Sequence, residues 1–150
     1  MAANRIHAKH SFVQEEYKAA EADIQPGMLI KLNSSGNVIK HDEENGRAEA
    51  MFAQEDVLQG RNVDQLYAND SIVTCILPNL GSQVYGRLEN DQVVAIGDWL
   101  VSRGNGLLKN IGALDSGDVD VFTVAVAMEA KDLTDSSTEN ELIRIRCAKH

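Results

Sequence analysis

The chain is poor in the residues from which reactive sites are usually built. Its 150 residues include two cysteines, four histidines, two prolines and one tryptophan, and aromatic residues make up 5% of the total. Positive charge is also scarce, with 14 Lys and Arg against 23 Asp and Glu and a net charge of -9. That balance argues against a nucleic-acid-binding surface, which needs clustered Lys and Arg. No apolar run approaches the roughly twenty residues of a membrane span. The opening Met1-Ala2-Ala3-Asn4-Arg5-Ile6-His7 lacks the apolar stretch of a signal peptide. The expectation is a protein that stays in the cytoplasm where it is made, with no membrane or nucleic-acid partner. At this length, with 43% hydrophobic residues, the chain can bury one core but has little room for two.

Cys75 and Cys147 each lie in an alternating apolar stretch, Ile72-Val73-Thr74-Cys75-Ile76-Leu77 and Ile143-Arg144-Ile145-Arg146-Cys147. A disulfide between them stays open on sequence alone, but a cytosolic chain favours two small buried thiols. Both are assigned to packing.

What the chain does have is a repeated glycine phrase. Ile24-Gln25-Pro26-Gly27-Met28-Leu29-Ile30 is followed by Gly36, and Val94-Ala95-Ile96-Gly97-Asp98-Trp99-Leu100 by Gly104 and Gly106. In each copy a glycine precedes a short apolar strand, and a second glycine follows nine residues after the first. Glycine supplies the positive φ of a tight turn, so its return at a fixed offset predicts matching backbone in two hairpins. Pro26, Gly27, Gly36, Gly97, Gly104 and Gly106 are the expected turn residues.

Strand signals dominate the remainder. The candidates are 28–32, 37–40, 48–53, 71–77, 82–88, 98–101, 107–110, 119–130 and 141–148, separated by Gly, Asn and Asp turns. Short strands at this spacing predict a mainly β fold, a small barrel or sandwich. One or two short helices are expected. Ser11 with Gln14 has capping-box spacing ahead of Val13, Tyr17 and Ala20, suggesting a helix over 11–22, and Asn62 with Gln65 suggests a single turn through Leu66 and Tyr67. The first ten residues carry Arg5, His7, Lys9 and His10 and no acid, which reads as a basic arm on an acidic body. The polar segment 131–140 reads as an exposed tip or loop.

Catalysis finds little support. His7, His10 and His150 sit at the chain ends, and His41 beside Asp42, Glu43 and Glu44 reads as a solvated acidic turn with no second metal ligand at a useful spacing. Ser71, Ser82 and Ser102 fall at strand edges with no histidine nearby in sequence, so no Ser-His-Asp set is expected. Gly104-Asn105-Gly106 lacks the third glycine, the lysine and the helix of a phosphate loop, and reads as a hairpin turn. Trp99 is placed in the core or a subunit interface. No enzyme activity, cofactor or metal is expected.

The arrangement itself carries more information. The polar, basic start, the phrase Ile24-Gln25-Pro26-Gly27-Met28-Leu29, the run Ala50-Met51-Phe52-Ala53-Gln54-Glu55-Asp56 with Gly60 and Val63-Asp64-Gln65-Leu66-Tyr67, and the second phrase Gly97-Asp98-Trp99-Leu100 together resemble the capsid decoration (cement) proteins of tailed double-stranded DNA bacteriophages. The likeness spans about residues 11–130. It implies a β-tulip or β-clip-like barrel without enzymatic activity, residues 24–150, preceded by an N-terminal arm, residues 1–23. It also implies a position on the outer surface of the expanded virion capsid, between subunits of the major capsid protein, where the chain stabilises the head against internal DNA pressure. Its partners would be the major capsid protein and copies of itself, a trimer being favoured over a dimer. Arg5, Lys9, Phe12 and Tyr17 are the expected capsid contacts, chosen for charge and apolar anchoring because strand addition fills pockets with alternate side chains. A virion-displayed carbohydrate- or ligand-binding β domain is the alternative.

Overall fold

The two glycine phrases fold as two copies of one unit. In a computed structural model describing residues 4–9, 11–113, 121–134 and 140–148, Gly27 and Gly97 have φ of +91° and +95°, and Gly36 and Gly106 have +78° and +77°. Each leading glycine is the third residue of a turn. The Met28 N–H returns to the Gln25 carbonyl at 3.0 Å, and the Asp98 N–H to the Ala95 carbonyl at 3.1 Å. Positive φ at that position is what such a turn demands. After the turns, β3 (Ile30–Leu32) pairs with β4 (Val38–Lys40), and β9 (Trp99–Gly104) pairs with β10 (Leu107–Asn110). Ile30 opposes Lys40 and Leu32 opposes Val38; seventy residues on, Leu100 opposes Asn110 and Ser102 opposes Leu108. The strand registers coincide, while the tips differ: Gly104 pairs with Leu107 beside a bulge, and the Asn33 N–H donates to the Asn37 carbonyl.

The duplication extends to a third strand that the sequence reading did not connect. β5 (Phe52–Ala53) serves the first unit and β11 (Thr123–Ala127) the second. The Gly27 N–H donates to the Ala53 carbonyl at 2.8 Å and the Ala53 N–H to the Met28 carbonyl at 3.1 Å. The Gly97 N–H donates to the Ala127 carbonyl at 2.9 Å and the Ala127 N–H to the Asp98 carbonyl at 2.8 Å. Leu29 opposes Phe52 as Trp99 opposes Val126.

Around these units lie β1 (His7–Lys9), β2 (Phe12–Lys18), β6 (Ile72–Pro78), β7 (Gln83–Arg87), β8 (Val93–Val94), β12 (Lys131–Asp132) and β13 (Leu142–Cys147). The largest sheet is antiparallel with order β1-β7-β13-β11-β9-β10; a second has order β2-β6-β5, and β3-β4 and β8-β12 form two-stranded ribbons. The fold is mainly β, as expected, but among the described residues the sheet does not close into a barrel. β10 returns to the end of β7 through a single parallel bridge, Leu88 to Leu108. The bulge between Leu107 and Leu108 and the shift between Thr123 and Ala125 turn the strands without completing a ladder across that gap.

The β2-β6-β5 sheet separates two apolar clusters. Phe52 and Ile76 enter one cluster with Leu29, Leu100, Leu108, Ile143 and Ile145. Ala53, Val73 and Cys75 enter the other with Ile24, Ile30, Met51 and Tyr67. The stretch expected to alternate thus places apolar residues on both faces of β6, Ile76 toward the first cluster and Val73 and Cys75 toward the second, while Ile72 at its end is exposed. β13 is covered on one face only, and there Ile143, Ile145 and Cys147 are buried while Arg144 and Arg146 are not.

Two helix expectations fail. Residues 12–18 form β2, with all seven paired to β6 from Phe12 opposite Pro78 to Lys18 opposite Ile72. The 3.6-residue spacing of Val13, Tyr17 and Ala20 is outweighed by strand pairing, which presents Tyr17 and Ala19 to the second cluster. At Asn62 the capping bonds do form, Asn62 N–H to Gln65 Oε1 at 2.8 Å, but they close a turn. The helical turns among the described residues are 3-10 segments elsewhere, Val57–Gln59 and Ile111–Ala113. None is long and apolar enough to cross a membrane. In segment 131–140, Lys131 and Asp132 pair with β8 and Leu133 is buried; residues 135–139, like 119–120 of the expected strand 119–130, lie outside the described residues.

Both cysteines are free and buried, and burial pushes each thiol up to about 12. The thiolate is the reactive form. Native protein is therefore expected to resist alkylation at neutral pH and both thiols to react after denaturation, as read by mass spectrometry. Rapid labelling of the native chain would contradict this packing.

Candidate interaction surfaces

The structure unites one pair of residues that sequence kept apart. His41 follows β4 and is buried, not solvated. Its Nδ1 lies 2.7 Å from Ser102 Oγ on β9, and its Nε2 lies 2.8 Å from the Arg47 carbonyl. Ser102 is thus within hydrogen-bond reach of a histidine sixty-one residues away. The pair is a structural tie. Ser102 is fully buried and its Oγ also accepts the Gly104 N–H at 3.1 Å, so no substrate atom can approach it.

The acidic loop after His41 is likewise bound into the fold. Asp42 meets Lys31 at 2.5 Å and Glu44 meets the buried Lys109 at 2.6 Å. Glu44 also lies 3.5 Å from Arg103, which holds Glu89 at 2.7 Å. Hydrogen bonds from Lys31 and Lys109 hold the Asp42 and Glu44 carboxyls below their ordinary range. No group of three or more His, Cys, Asp or Glu among the described residues is placed to hold a metal.

Among the described residues, Arg87 is the other buried Lys or Arg. Its Nε donates to the Pro26 carbonyl at 2.8 Å, its Nη2 to Val63 at 2.5 Å and its Nη1 to Asn140 at 3.1 Å, with Asp64 at 3.5 Å. Burial lowers its pKa, and Asp64 opposes that effect. Its own N–H donates to the Gly27 carbonyl at 3.0 Å, so one residue fixes the Pro26-Gly27 turn twice. Of the expected turn residues, Gly27, Gly36, Gly97, Gly104 and Gly106 all have positive φ.

The four expected contact residues separate into two kinds. Arg5 and Lys9 are exposed. Phe12 is half-buried, its ring 4.3 Å from that of His7, and packs on the first cluster. Tyr17 packs on the second, and its hydroxyl donates to Glu15. Positions 12 and 17 face opposite sides of β2, as period two requires. The segment is tied down by Ile6, which is fully buried; the Ile6 N–H donates to Glu55 Oε2 at 3.0 Å and its carbonyl accepts the Tyr85 N–H at 2.7 Å.

Exposed apolar residues supply further contact material. Leu58 is 90% exposed beside a shallow cleft of about 500 Å³ lined by Ile72, Glu16, Asp56, Arg61 and Asp70. Leu80, Ile96 and Val93 are more than half exposed. Scattered exposed apolar residues are ordinary; here they stand on a β frame in which His41, Asp42 and Glu44 are bonded internally.

The fold and surface thus define a β protein built from a duplicated turn, hairpin and third strand. No protein-family model and no curated protein matches the chain. Among solved structures it is similar to the head fiber gp8.5 N base of bacteriophage phi29, with a TM-score of 0.54 and 10% sequence identity over 92% of this chain and 95% of that one. At that identity the likeness is one of fold.

Proposed function

We propose that this chain is a non-enzymatic structural protein of a bacteriophage head, a decoration protein bound to the outer surface of the expanded shell between major capsid protein subunits, where it stabilises the head. The observation that carries this reading is the near full-length fold likeness to a phage head fiber base. The sequence resemblance to cement proteins points the same way. The N-terminal segment, residues 1–23, supplies capsid contact in this reading: Arg5 and Lys9 project from a chain of net charge -9, and Phe12 and Tyr17 set β2 against the body. Self-association into a trimer multiplies weak contacts, since linked sites gain avidity of about 10²–10⁴ without new interactions.

Co-sedimentation with expanded, undecorated capsids tests this directly. The wild-type chain is expected to pellet with capsids to saturation, and the Arg5→Glu/Lys9→Glu chain to pellet at least about tenfold more weakly, with wild-type binding falling at high salt. An unaffected double variant would remove the segment from the contact, and no pelleting of the wild type would overturn the capsid reading.

A further inference from the structure

The fold assembles a basic row from charges that lie at opposite ends of the sequence. On the largest sheet Lys9, just past a bulge in β1, stands opposite Gln83 of β7, and Gln83 stands opposite Arg146 of β13. Two residues along, Arg144 stands opposite Tyr85. Residues opposite one another share a face, and Val84, Ile143, Ile145 and Cys147 are buried on the other one. Lys9 and Arg146 are exposed, and Gln83, Tyr85 and Arg144 are half-buried. With strands about 4.8 Å apart, the three cations fall within about 10–12 Å of one another along the backbone.

No ion pair among the described residues involves Lys9, Arg144 or Arg146, whereas Lys31, Arg87, Arg103 and Lys109 are all paired. The Arg144 Nη2 makes one long bond, 3.5 Å to the Met128 carbonyl, while its Nε and the Oε1 of Gln83 are shielded from solvent without a partner. Shielded polar groups are ordinarily paired. Glu129, the acid beside this row, accepts the Arg144 backbone N–H at 3.0 Å. Beyond Arg146 the row continues through Val126 to the half-buried Trp99.

We propose that this face, with Lys9, Arg144 and Arg146 at its centre and Trp99 at its edge, docks an acidic surface of another protein. Charge complementarity selects the occupant. A guanidinium matches a carboxylate through two parallel hydrogen bonds, and Arg, Tyr and Trp are the side chains on which binding energy concentrates. Nucleic acid fits less well, because a body of net charge -9 repels a polyanion. A second copy carries the same net charge, and its Asp42, Glu44, Asp64, Asp70 and Glu89 are already ion-paired. In the preceding reading the acidic surface belongs to the phage shell, and for that identification alone the proposal rests on it.

Two experiments separate the face from its partner. Nuclear magnetic resonance titration of the whole chain with hexaglutamate at low salt is expected to shift the amides around Lys9, Gln83 and Arg146, and Arg146→Glu to abolish the shifts with an unchanged melting temperature. The wild-type shift pattern decides the matter if Arg146→Glu melts early. No shifts, shifts centred elsewhere, or shifts that survive Arg146→Glu would overturn the face. Tighter binding of a thymidine oligonucleotide of equal charge, or an oligomer that Arg146→Glu disperses, would overturn the occupant in favour of nucleic acid or a second copy. With expanded capsids, Arg146→Glu is expected to pellet at least about tenfold more weakly than the wild type. Lys40→Glu, the same charge change on β4, is expected to pellet as the wild type does. Undiminished pelleting of Arg146→Glu would remove the shell from this face, whereas a wild type that binds hexaglutamate but no capsid would overturn the capsid reading and leave the face standing.

Discussion

Replacing Arg87 with Met is expected to cost about 3–5 kcal/mol of folding stability, because several backbone carbonyls lose a charged donor at once. The guanidinium serves carbonyls from three separated stretches, at Pro26, Val63 and Asn140. Methionine fills much of the volume but donates nothing, and each carbonyl left buried and unpaired costs about 1–3 kcal/mol if water does not reach it. Against a typical total of about 5–15 kcal/mol, that loss puts the variant near the edge of folding. Asp64 is the control, because it is 76% exposed. Asp64→Asn is expected to change stability by less than about 1 kcal/mol. Urea unfolding measures both, and equal small effects would show that Arg87 does not organise these segments.

The duplicated turns offer a second comparison, since the same substitution can be made in both copies. Gly27→Ala and Gly97→Ala each force alanine to a φ above +90°, a strain of about 1–2 kcal/mol. Only the first also meets an obstacle. A Cβ at Gly27 would stand 2.5 Å from Leu142 Cδ2 and 3.3 Å from the Tyr85 carbonyl, whereas one at Gly97 meets nothing within 4 Å. Overpacking adds about 1–3 kcal/mol, so Gly27→Ala is expected to lose about 2–5 kcal/mol and Gly97→Ala about 1–2. Equal losses would mean that β13 does not press on the first turn.

These glycines also mark what the sequence made legible. Both hairpins could be read because their turns are local, and a positive φ leaves its trace as glycine at a fixed offset. The third strand of each unit left no such trace. Phe52-Ala53 and Val126-Ala127 are related through hydrogen bonds to Gly27-Met28 and Gly97-Asp98, and the connecting chain differs in length between the copies. β2 carries helical spacing at Val13, Tyr17 and Ala20, while its pairing with β6 is a long-range fact that the local pattern does not hold. The His41–Ser102 bond left no trace in the sequence for the same reason, since only the fold brings the residue after β4 within reach of β9. The open gap between β10 and β7 has no sequence signal, as closure depends on shear and tilt rather than on residue pattern. Arg5 and Lys9 were legible as surface residues from charge alone.

Cryo-electron microscopy of expanded capsids incubated with this chain tests the central claim most directly. The account predicts ordered density on the outer surface, at the same symmetry position across the shell, into which the duplicated β fold fits with its N-terminal segment against the major capsid protein. Bare shells at saturating protein, or density confined to the interior, would contradict it.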